Sequence, residues 1–185
     1  MSNNQKVQDK IDSKILADRK IFLWSEVDDD SAKHIIDRLL YLEMEEPGKE
    51  IQLIINSPGG YVTAGFAIYD TMKAISSPVS TIATGLAASM GSILLSAGEK
   101  GRRFVLPHAR VMIHQPSGGA RGKSADMEIQ MNEIIKTKEQ SAQILADNCG
   151  QSFDKIMADF NRDFWMSAEE SVAYGIVDKM IDKMV

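Results

Sequence analysis

Ser89 lies in the run Gly85-Leu86-Ala87-Ala88-Ser89-Met90-Gly91, where a strand pattern gives way to a helical one. Small neighbours there can let a tight turn expose the hydroxyl, as in a G-x-S-x-G elbow, although Ala87 stands where that pattern has its first glycine. Backbone N–H groups at a helix start can stabilise an oxyanion, so the chemistry in view is acyl transfer. A buried serine capping its own turn would carry the same sequence, and this segment alone does not separate the two. A second segment, Asn56-Ser57-Pro58-Gly59-Gly60, ends a strand in residues whose N–H groups no Cβ covers. It suits close approach by an oxyanion or an extended peptide, or simply a turn that needs positive φ.

Three histidines are available, at 34, 108 and 114. His34 falls on the polar side of an amphipathic helix and His108 in a turn after Pro107, so both read as solvated. His114 closes the run Ala109-Arg110-Val111-Met112-Ile113 and precedes the loop Gln115-Pro116-Ser117-Gly118-Gly119. A histidine at a strand end beside a flexible loop is well placed as a general base. The carboxylate that would orient it is open: Asp126, Asp154, Asp159, Asp163 and Asp178 all qualify by chain order. One cysteine and three scattered histidines offer no metal-ligand spacing, so no metal is expected.

The elements that must position these groups follow from the apolar pattern. Residues 20–24 make a short strand, and Asp28-Asp29-Asp30-Ser31 supplies helix N-cap formers. Ala32, Ile35, Ile36, Leu39 and Leu40 have the spacing of a helix with one buried face, which Pro47-Gly48 ends. Strands are predicted at 51–55, 79–84, 102–106, 110–113 and 176–180. Helices are predicted after Gly60 to about Ile75, over 88–97, 123–149, 152–160 and 167–174, with Gly85 a turn. Met127, Met131, Ile134, Ile135, Ala142 and Leu145 form one stripe on the long helix. Alternating strand and helix argues for parallel β-α-β units in an α/β domain, with the long helix appended.

The chain has 185 residues, the length of one domain, and a domain of that size buries on the order of 70% of its unfolded surface. A net charge of −5 without a basic block argues against nucleic acid. Residues 74–98 lack charge, but Pro78, Gly85 and Gly91 interrupt them and serine and threonine are frequent, which excludes a lipid-facing helix. Residues 1–6 lack the apolar stretch of a secretory signal, and the solitary Cys149 suits packing in a reduced, cytoplasmic setting.

Several segments together resemble the proteolytic subunit of the Clp protease family (ClpP). They are Ile55-Asn56-Ser57-Pro58-Gly59-Gly60, residues 85–92 around Ser89, Met112-Ile113-His114-Gln115-Pro116, Asp126-Met127-Glu128-Ile129, Arg162-Asp163, and 167–170 running to 174–178. The resemblance covers about residues 14–182 and implies a β-β-α superhelical core shared with crotonases. On that basis Ser89 is the nucleophile, His114 the base and Asp163 the orienting acid. The backbone N–H groups of Gly60 and Met90 would be the oxyanion donors. The family also implies two heptameric rings stacked around a chamber, with residues from about 117 to 149 as the handle between them. Unfolded chains would be fed by an AAA+ ATPase, so ATP would belong to the partner and this chain would need no cofactor. Two departures stand out. Residues 7–14 are polar and the N-terminal segment is short, where the family has a Tyr-Asp-Ile-Tyr-Ser-Arg-like stretch that forms axial loops. Asn161 replaces a usual acid beside Arg162, which makes an inter-ring salt bridge in the family. Both would suit a paralogue in mixed rings, and a poorly active structural subunit is the main rival reading. A crotonase-like acyl-CoA enzyme is a second, disfavoured by the Ser-His-Asp set.

Overall fold

Short runs of β-branched and aliphatic residues separated by amphipathic stretches fold here as parallel β-α-β units. The computed structural model describes residues 3–184. The order begins α1 (Asn3–Ala17), β1 (Lys20–Leu23), α2 (Asp29–Glu45), β2 (Ile51–Ser57), α3 (Val62–Ala74), β3 (Val79–Ala88) and α4 (Met90–Ser96). It continues β4 (Arg103–Val105), β5 (Arg110–Ile113), α5 (Ser124–Cys149), α6 (Phe153–Asp159), β6 (Phe164–Met166), α7 (Ala168–Tyr174) and β7 (Lys179–Met180). This mixed α/β architecture with its long α5 agrees with the fold that the resemblance implied.

The sheet runs β1-β2-β3-β4-β7, all parallel, and β5 joins it through the far end of β3. Parallel strands need crossovers, and α2, α3 and α4 supply them while covering the sheet. Ile51, Leu53, Ile55, Ile82 and Ala83 are buried on the strands, and Ile35, Leu39, Ile68 and Leu94 bury helix faces against them. β6 pairs antiparallel with β5, Val111 opposite Met166 and Ile113 opposite Phe164. That pairing brings the segment after α6 to the end of β5.

Local chemistry explains the helix ends. Asp28 accepts from the Ser31 N–H at 2.7 Å while the Ser31 hydroxyl accepts from the Asp28 N–H at 2.9 Å, closing a capping box at α2. At the other end of α2 the buried Arg19 guanidinium donates to the carbonyls of Leu42, Lys49 and Glu50 at 2.9–3.0 Å. The Lys49 and Glu50 carbonyls belong to the turn after the helix, and the Leu42 carbonyl accepts from Arg19 in addition to the Glu46 N–H at 3.2 Å.

Four features differ from the sequence expectations, the first being β6, a strand at Phe164–Met166 between two expected helices where none was predicted. Residues 7–14, read only as a short polar segment, lie within α1. Val7, Ile11 and Ile15 do recur at helical spacing, but Val7 and Ile11 stay exposed, and Gln5–Asp9 and Gln8–Asp12 hydrogen bonds at 2.9 and 2.8 Å tie successive turns. Gly85 is not a turn between strand and helix: β3 continues to Ala88, and Gly85 bends it with φ +66°. The last strand is only Lys179–Met180, and Ile176 and Val177, buried in the core, precede it without pairing in the sheet. On α5, Ala142 and Leu145 are buried, whereas Met127, Met131 and Ile135 of the same stripe are exposed. Among the described residues no helix is long and apolar enough to cross a membrane.

Candidate active site

β3 and α4 meet at a single residue. Ser89 has φ 53° and ψ −123°, a conformation that L-residues avoid and that must be held by its surroundings. Its N–H donates to Met112 O at 2.9 Å, and its carbonyl accepts from the Ser92 N–H and hydroxyl at 3.0 and 2.7 Å. The backbone is thus clamped on both sides of the side chain. Although Ser89 occupies the N-cap position, its hydroxyl makes no capping bond. Instead Ser89 Oγ lies 2.9 Å from His114 Nε2. The self-capping alternative is therefore not what this serine does.

His114 follows the last residue of β5 and is half-buried. Its Nδ1 lies 3.0 Å from Asp163 Oδ1. Asp163 stands just before β6, so the β5–β6 pairing sets this contact across 49 residues of chain. A further tie comes from the next residue: Gln115 N–H donates to Phe160 O at 2.6 Å, and its amide donates to Asn161 O at 2.9 Å. Histidine and aspartate segments are thereby laced together beside an open cleft lined by His114, Gln115, Asn161, Arg162 and Asp163. A neutral imidazole can donate from one nitrogen and accept at the other. With Nδ1–H directed at the carboxylate, Nε2 is free to accept a proton from the serine.

The Pro-Gly-Gly turn packs on the elbow. A Cβ on Gly59, whose φ is +90°, would stand 2.6 Å from Ser89 Cβ and 2.9 Å from Met90 N. Gly60 runs beside Val27, where a Cβ would meet the Val27 carbonyl at 2.2 Å. Neither the Gly60 N–H nor the Met90 N–H has a hydrogen-bond acceptor among the described residues. Two uncommitted backbone donors therefore lie near the Ser89 hydroxyl, one after the turn and one at the start of α4.

The other sequence candidates sit elsewhere. His34 and His108 are exposed, on α2 and in the β4–β5 turn. Asp178 is bound by Arg103, Asp159 accepts from the Tyr174 hydroxyl at 2.9 Å, and Asp126 and Asp154 occupy the first turns of α5 and α6. Cys149 is buried at the end of α5, and burial pushes its thiol up to about 12, which leaves it no role as a thiolate. Among the described residues no group of three His, Cys, Asp or Glu side chains could hold a metal. Ser57 Oγ accepts from the Gly59 N–H at 3.1 Å and so braces the turn. Asn56, Ser57 and Gln115 stand in the sequence segments singled out above, but no role as supports of the site was expected of them.

Comparison with known proteins agrees with this arrangement. The Clp protease family profile matches residues 3–184. An ATP-dependent Clp protease proteolytic subunit from Bacteroides fragilis strain ATCC 25285 is 54% identical over 171 residues, covering 92% of this chain and 83% of its own length. The same subunit from B. fragilis strain YCH46 is 54% identical over 171 residues, covering 92% of this chain and 78% of its own. The chain therefore belongs to the Clp protease family and is a hydrolase of the serine-peptidase kind.

Proposed function

We propose that this chain hydrolyses peptide bonds of unfolded polypeptides through an acyl-enzyme formed on Ser89. The observation that carries the proposal is the single imidazole of His114, in hydrogen-bond reach of both Ser89 Oγ and Asp163. Ser89 Oγ attacks the scissile carbonyl as its proton passes to His114 Nε2. The carbon–nitrogen bond then breaks, and the same proton goes to the leaving amine. Water, deprotonated by His114, attacks the ester; the acid product leaves, and His114 passes the water's proton to Ser89 Oγ. Asp163 holds the tautomer and balances the imidazolium charge. The N–H groups of Gly60 and Met90 receive the oxyanion, each worth roughly 3 kcal/mol of barrier.

Residues 1–185 act as one domain, with about 117–149 as the handle between two heptameric rings. The exposed Met127, Met131 and Ile135 stripe of α5 suits burial against another subunit. Both Bacteroides relatives are named as ATP-dependent. Here an AAA+ partner would spend the ATP while this chain uses no cofactor. A cytoplasmic setting suits the one buried thiol. The aligned hydrogen-bond chain favours a working peptidase over a silent member of a mixed ring.

Labelling with a serine-directed fluorophosphonate tests the nucleophile. Wild-type chain is expected to be labelled at Ser89 and to cleave a fluorogenic peptide, with both lost in Ser89→Ala. Labelling that persists in Ser89→Ala sinks the assignment. Sedimentation of the purified chain tests the two-ring assembly, and a mass of one subunit alone contradicts it.

A further inference from the structure

β2 and β3, the strands that lead to the two halves of the site, do not pair without a break. Ile55 stands opposite Ala83 and Ser57 opposite Ala87. One residue of β2, Asn56, therefore faces three of β3: Thr84, Gly85 and Leu86. Extra residues on one strand bend it and leave ladder groups unpaired. The bend has a consequence for pairing: β3 lies beside β4 through Thr81–Ala83, then beside β5 through Leu86–Ala88. The new ladder runs on into the Ser89 N–H bond to Met112, two residues before His114.

At the break, Asn56 fills the gap with its side chain. Its Oδ1 accepts from the Leu86 N–H at 3.0 Å, a donor that the bulge has taken out of the ladder. Gly85 makes room for it: with φ +66°, a Cβ there would lie 2.7 Å from Asn56 Oδ1. The amide oxygen thus occupies the notch that the missing side chain leaves.

We infer that Asn56 is a positioning residue: its side-chain oxygen replaces a ladder acceptor, holds the bend in β3, and so sets Ser89 Oγ against His114 Nε2. The inference rests on Ser89 being the nucleophile. Asn56 touches no reacting atom and acts through Leu86, three residues before the serine. Misplacement by about 1 Å can cost on the order of a hundredfold in rate, so a slack joint at this range is enough to matter.

The experiment compares wild type, Asn56→Ala and Asn56→Asp as purified, assembled protein. It reads the rate of fluorophosphonate labelling at Ser89 together with kcat and KM on a fluorogenic peptide. Asn56→Ala is expected to lower both the labelling rate and kcat by roughly 10–100-fold, with KM little changed. Asn56→Asp keeps an oxygen in the same place and is expected to recover most of that loss. Gly85→Ala strains the same joint from the other strand, and Asn56→Ala/Gly85→Ala is expected to be no slower than the slower single variant. If folded Asn56→Ala is labelled at the wild-type rate, the positioning role is overturned while the nucleophile stands. Equal losses in Asn56→Asp and Asn56→Ala, or additive losses in the double variant, overturn it as well. If wild type is not labelled at Ser89, the peptidase reading itself falls, and this inference with it.

Discussion

Replacing Ser89 by glycine and by alanine separates the nucleophilic role proposed for this residue from the strain it carries. Both variants lose the hydroxyl and its bond to His114, so neither is expected to be labelled or to turn over peptide. They differ in the backbone. At φ 53° and ψ −123°, alanine keeps the unfavourable conformation and glycine relieves it. A sparsely populated conformation of this kind costs about 1–3 kcal/mol. Glycine gives back roughly 0.5–1 kcal/mol through the greater freedom of its unfolded chain. Losing a half-buried methyl group removes about 0.4 kcal/mol more, half the value of a fully buried one. The balance leaves Ser89→Gly more stable than Ser89→Ala by about 1 kcal/mol, which for a chain of this length raises Tm by roughly 2–4 °C. Thermal unfolding followed by circular dichroism measures it, at one protein concentration because assembly contributes to Tm. A Ser89→Gly variant that melts at or below Ser89→Ala would refute the claim that the elbow is strained.

Gly59→Ala should disturb the same elbow from outside, since the added Cβ would lie 2.6 Å from Ser89 Cβ at a φ of +90°. A loss of labelling rate of tenfold or more is expected, on the scale of a 1 Å misplacement; unchanged labelling in folded protein contradicts the packing argument. A separate prediction concerns pH and stability. Burial alone would push the Asp178 carboxyl up, but hydrogen bonds from Arg103 and Gly101 and the guanidinium charge outweigh it and hold the carboxyl below its usual value. Its contribution is therefore complete above about pH 4, the unfolded carboxylate value, and is lost as pH falls through the lower folded value. Asp178→Ala, which strands the 5%-exposed Arg103, should cost about 3 kcal/mol in denaturant unfolding at pH 7 and flatten the acid dependence. An unchanged acid profile would show that the pair does not govern it. Cys149, its thiol pushed up to about 12 by burial, should resist iodoacetamide at pH 8 in native protein and react once unfolded. Fast native alkylation would mean that the end of α5 opens readily.

Much of the framework was legible before any coordinates. The capping residues at 28–31, the apolar runs of β1, β2 and β5, and the amphipathic spacing of α2 reflect backbone preference and burial period, both of which act over a few residues. Ser89 and His114 stood out because their immediate neighbours are unusual. α1 is hard to read because its apolar positions, Val7, Ile11 and Ile15, are sparse among polar residues, and Val7 and Ile11 stay exposed rather than filling a core. Gly85 was misread because a glycine that bends a strand and a glycine that ends one look alike in sequence.

Ser89 and His114 are 25 residues apart, and His114 and Asp163 are 49 apart. No local pattern reaches that far. From its residues alone the sequence proposed a serine and a histidine, and it left five aspartates equal until family resemblance singled out Asp163. Tertiary structure decided the contact, since Asp163 meets His114 only through the antiparallel pairing of β6 with β5. It also decided where β3 bends, because Asn56 and Gly85 meet only once two strands lie side by side. Residue types and local periodicity are written in short-range energetics; the distance between two side chains depends on how separate elements dock.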